Sequence, residues 1–95
     1  MHIEIRLFPG TAGQGGRLAA RRSELETLFR ELPGLRSFDL AETREGLAVI
    51  AAAEDPREAA EGVRWFTDWL TCQLPDLEWR DGFRVAGVVI ARLGC

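Results

Sequence analysis

Ninety-five residues, 46% hydrophobic and 28% charged, make an ordinary globular chain of single-domain length and exclude intrinsic disorder. A net charge of −3 offers no cationic face for neutralising phosphates, so nucleic acid is not an expected partner. All 12 basic residues are arginine, which removes the lysine chemistry of Schiff bases and P-loops. Asparagine and tyrosine are missing too.

His2 to Phe8 alternates, with Ile3, Ile5 and Leu7 on one side and His2, Glu4, Arg6 and Phe8 on the other. That is the period of a half-buried strand. Pro9 to Gly16 is rich in glycine and predicts a flexible connection, among the most mobile parts of the backbone. From Arg17 the period becomes helical, with Leu18, Leu25, Leu28, Phe29 and Leu32 on one face. Glu26 and Arg30 stand in the favourable i, i+4 order, and Pro33-Gly34 ends this helix.

Leu35 to Thr43 and Leu47 to Ala53 are extended segments around Glu45-Gly46, a hairpin signature. A second helix starts with Asp55 as N-cap and Pro56 at the first helical position. Ala59, Val63, Phe66, Leu70 and Leu74 form its core stripe; Trp65, Trp69 and Cys72 form a second stripe beside it, with Cys72 read as a small buried hydrophobe. Pro75 to Gly82 is a polar linker and Phe83 to Leu93 a last strand. The order is β-α-β-β-α-β. Residues 1–95 are therefore expected to form one α+β domain, two helices covering one face of a four-stranded antiparallel-type sheet.

The other sheet face needs a cover. Leu47 to Ala53 and Val85 to Ala91 are nearly apolar on both sides, which a sheet wet on one face does not need. A homodimer packed sheet to sheet is the simplest solution. The longest apolar stretch is too short to span a bilayer, and the N-terminus has no hydrophobic signal core, so a cytoplasmic protein without membrane contact is expected. Cys72 and Cys95 lack metal-ligand spacing, and two cysteines with one histidine make no zinc site. No motif calls for a metal or a cofactor.

Three candidate sites follow. His2, Glu4 and Arg6 share one side of the first strand, where a histidine beside a carboxylate can act as a general base. Gly13, Gly15, Gly16 and Arg17 lie between a strand and a helix, where backbone N–H groups can hold an anion, although the loop matches neither phosphate-binding glycine motif. Trp65 and Trp69 make an aromatic ridge beside Phe66. Its ordinary role is core packing; its sharper role is to wall an apolar pocket for a small apolar or aromatic ligand.

Glu31-Leu32-Pro33-Gly34-Leu35, the hairpin after it, Glu54-Asp55-Pro56 with Ala59, and Trp69-Leu70 resemble the antibiotic-biosynthesis-monooxygenase-like group of dimeric α/β barrels. The resemblance spans most of the chain. It implies a ferredoxin-like subunit whose sheet pairs with that of a second copy. For function it implies a cofactor-independent monooxygenase acting on a small aromatic substrate, with Trp65 or Trp69 at the pocket. The catalytic members also place asparagine, and often tyrosine or histidine, around that pocket; here only tryptophan carries over. The alternative is a non-catalytic dimeric small-molecule-binding or regulatory module. An RNA-recognition module would need stacking aromatics on its central strands, and Leu47 to Ala53 has none.

Overall fold

The computed structural model describes residues 1–80, 82–91 and 93–94. Its elements in chain order are β1 (His2–Pro9), α1 (Gly15–Ala19), α2 (Arg22–Arg30), β2 (Leu35–Glu42), β3 (Gly46–Ala53), α3 (Pro56–Gln73) and β4 (Arg84–Val88). The four strands form one antiparallel sheet in the order β2-β3-β1-β4, a ferredoxin-like α+β arrangement.

Register settles what each strand shows to each side. Phe8 stands opposite Leu47, Arg6 opposite Val49 and Glu4 opposite Ala51. This face meets the helices: Phe8, Leu47 and Val49 are buried in one cluster with Leu18 of α1, Leu25 of α2, and Val63, Phe66 and Leu70 of α3. Phe66 sits at its centre, its ring 5.7 Å from Phe8 and 5.6 Å from Phe38. Burying a side chain of this size is worth about 1.5–3 kcal/mol before conformational entropy is charged. The opposite face carries Ile3, Ile5 and Leu7 beside Ala52, Ile50 and Ala48, with Val85 across from Ile5. All three helices pack on the first face.

Local chemistry places two element boundaries. The Arg57 N–H donates to Asp55 Oδ1 at 2.7 Å, so Asp55 caps α3 and Pro56 occupies its first turn, where a missing N–H costs nothing. At the hairpin, Gly46 has φ +147°, and a Cβ there would lie 2.2 Å from the Phe8 carbonyl oxygen. Only glycine fits both demands.

Four expectations are corrected. The first helix is two helices: Arg21 leaves helical geometry, at φ −107° and ψ 19°, and divides α1 from α2. Leu18 and Leu25 are both buried and lie two helical turns apart in sequence, so the apolar period runs through the break without marking it. Gly15 and Gly16 belong to α1 rather than to a loop. The last strand stops at Val88, opposite His2, because β1 offers no strand residue beyond that point. Cys72 is exposed; it lies about 200° around the helix from the fully buried Leu70 and so faces outward. Cys95 lies outside the described residues.

The glycine-rich connection is pinned at its start. Thr11 is fully buried; its hydroxyl donates to the Phe8 carbonyl at 2.7 Å and accepts from the Leu47 N–H at 2.8 Å. A loop expected to be among the most mobile parts of the backbone is thus tied to both central strands at one residue.

Candidate functional site

The polar side of β1 faces α3. Glu4 is only 7% exposed, and Arg84 Nη2 donates to its Oε2 at 3.3 Å. Arg6 Nη1 donates to Thr67 Oγ1 of α3 at 3.2 Å, and its guanidinium lies 4.9 Å from the Phe8 ring centroid. His2 is half-buried at the far end of the strand, opposite Ala53 and Val88. The structure therefore brings Glu4 and Arg6 under one helix, but their contacts tie the strand to its neighbours and leave the carboxylate enclosed.

The tryptophans are also engaged. Trp69 is 8% exposed, stacks on Phe66 with centroids 6.1 Å apart, and donates its indole N–H to Glu24 Oε2 at 2.6 Å. The Arg21 guanidinium covers the ring at 5.0 Å and reaches Glu24 and Gln73. Trp65 is half-buried and donates to Glu61 Oε1 at 2.9 Å. Phe66 is wholly buried. Phe66 and Trp69 belong to the buried core cluster.

The Arg21 and Trp69 hydrogen bonds to its ionised form hold the Glu24 carboxyl below its ordinary value of 4.5. A lowered folded-state pKa adds stability that is complete above the unfolded value and is lost as pH falls through the lowered one. The Trp69 indole N–H resonance should therefore titrate with a midpoint below 4.5. A midpoint at or above it would show that the Glu24 contacts do not persist in solution.

At the glycine segment, the Gly15 N–H donates to Glu42 Oε1 at 3.2 Å, so one of the chain's own carboxylates occupies the position proposed for an anion. Arg17 holds Asp76 through two hydrogen bonds of 2.7 and 2.9 Å. No added Cβ would meet anything at Gly13 or Gly16; both face open space.

An open concavity lies elsewhere. Between the α1–α2 layer and the edge strand β2 runs a groove of about 850 Å³, within the size range of small-molecule sites. Leu18, Leu25 and Leu47 supply its buried apolar wall, with Phe29, Phe38 and Leu40 along the opening. Phe29 and Phe38 are stacked, their centroids 4.1 Å apart. Guanidinium and carboxylate groups rim it, and no described residue brings an imidazole or a thiol. Such a lining can hold a flat apolar molecule. It is poorly supplied for proton transfer near neutral pH.

Sequence reasoning missed this groove. Phe29 and Phe38 were each readable as apolar, but their contact joins residues on separate elements. Among the described residues no cluster of histidine, cysteine or carboxylates could hold a metal ion, and no helix is long and apolar enough to cross a membrane.

No protein-family model matches the chain, and no curated protein does. Among solved structures it is similar to Rv0793 from Mycobacterium tuberculosis. The two share 19% of residues over 98% of this chain and 97% of that one, with a TM-score of 0.57. That likeness is one of fold.

Proposed function

We propose that this chain is a homodimeric, non-catalytic small-molecule-binding module of the antibiotic-biosynthesis-monooxygenase-like kind, holding a small aromatic or apolar ligand in the groove between α2 and β2. One observation carries the reading: the open groove is lined by Leu25, Phe29 and Phe38, while Trp69, the more buried of the two tryptophans that an oxygenase of this kind would use, stacks on Phe66. The dimer rests on the helix-free sheet face. Ile3, Ile5, Leu7, Ile50 and Val85 form an apolar surface there, of the sort that marks an interface, and joining two such faces would close a dimeric α/β barrel.

Titration with 2-naphthol tests the binding reading. Backbone amide shifts are expected at Leu25, Phe29, Phe38 and Leu40, with oxygen uptake at background. Shifts centred on Trp65 and Trp69 together with oxygen consumption would support a cofactor-independent monooxygenase instead, and no shifts at millimolar probe would remove the binding site.

A further inference from the structure

Three arginines reach the groove, and two are already committed. Arg22 Nε donates to Glu26 Oε1 at 2.7 Å, and Arg36 Nη2 pairs with Glu54 at 2.8 Å. The first of these pairs replaces an expected one. Glu26 was to serve Arg30, one turn further on, but Arg22 stands at the same spacing on its other side and takes the carboxylate. Arg30 is left exposed, with no hydrogen bond or ion pair to any described residue, beside the stacked rings of Phe29 and Phe38. Its position in the last turn of α2 suits the helix dipole but leaves its donors unused.

From this we infer that the groove selects aromatic carboxylates: the flat body lies along Phe29, Phe38 and Leu40, and the carboxylate takes a forked pair of hydrogen bonds from Arg30. The inference rests on the groove being the binding site. Guanidinium and carboxylate match in plane and spacing, so two parallel N–H···O bonds form at once. Of the three carboxylates that line the groove, Glu26 is held by Arg22 and Glu42 accepts from the Gly15 N–H, while Asp39 forms no hydrogen bond or ion pair with Arg30. An extended peptide added to the β2 edge is the other conceivable occupant. Against it stand the irregular register at Leu35/Ser37 and the charged Arg36, Asp39 and Glu42 along the strand, devices that discourage edge pairing.

The test compares naphthalene-2-carboxylate with naphthalene-2-carboxamide, nearly identical in shape and differing in charge, by amide shifts at low ionic strength. The carboxylate should bind the native chain about tenfold or more tightly than the amide, as expected for a hydrogen-bonded charge. Arg30→Gln should abolish the preference, and Arg30→Lys should restore only part of it, since an ammonium cannot form the fork. Arg30 has no described partner, so neither variant is expected to disturb the fold; an unchanged spectrum away from the groove checks this. Equal affinity for the two probes would overturn the inference while leaving the groove a binding site. Preference for the carboxylate that survives in Arg30→Gln would also overturn it. Binding of neither probe would overturn the inference and the binding reading together.

Discussion

Replacing Trp69 with alanine should cost about 3–5 kcal/mol of folding stability, the usual loss for a large aromatic removed from a core. Trp69 lies where α2 meets α3. Its ring stacks on Phe66 and carries the Arg21 guanidinium, and its indole N–H is bound by Glu24. Truncation would open a cavity beside Phe66 and remove the indole hydrogen bond that joins α3 to Glu24 of α2. A domain of this size has only about 5–15 kcal/mol in total, so the variant should unfold at much lower urea. Trp69→Phe should be milder, because a ring remains and Glu24, being near the surface, regains water. A loss below about 1 kcal/mol for Trp69→Ala, measured by urea denaturation, would mean that the side chain does not pack in solution as described.

The second large effect concerns assembly. The proposed dimer predicts a native species of about twice 10.6 kDa, which Ile50→Asp should convert into a monomer. Ile50 stands opposite Ile5 in the middle of the helix-free face, away from the α3 core. A carboxylate there stays hydrated in a monomer but must be stripped of water in a face-to-face dimer. Desolvating an unpaired charge costs several kcal/mol, and a twofold interface would bury one from each copy. Since 1.4 kcal/mol is a factor of ten, dimer affinity should fall by about a thousandfold or more. Light scattering at micromolar concentration reads the result, with Val85→Asp as a second substitution on the same face. A native chain that is already monomeric would refute the dimer and, with it, the barrel. A dimer unaffected by both substitutions would place the interface elsewhere.

The parts of this fold that were readable beforehand share a physical origin: each is decided by residues close together in the chain. Asp55 and Pro56 start α3 through a hydrogen bond two residues long. Gly46 marks the hairpin because a tight turn demands a conformation that glycine alone adopts freely. Ala59, Val63, Phe66, Leu70 and Leu74 recur at helical spacing, and all five are buried. Where this locality failed, the prediction failed. Cys72 looked like an extension of the apolar stripe, but it is exposed. Glu26 had two possible arginine partners at equal spacing, and spacing could not choose between them.

The sequence by itself determined the alternation of β1, the hairpin, the start of α3 and the α+β order, since these follow from dihedral preference, capping and hydrophobic period. Only the tertiary structure decided that the polar side of β1 turns toward α3, that Arg21 breaks the first helix, and that Phe29 meets Phe38 beside Arg30, which has no partner among the described residues. A strand's two faces are equivalent until something packs on one of them. A groove exists only once two distant segments are set side by side. Both outcomes depend on which surfaces meet, and contact between distant residues leaves no period in the chain.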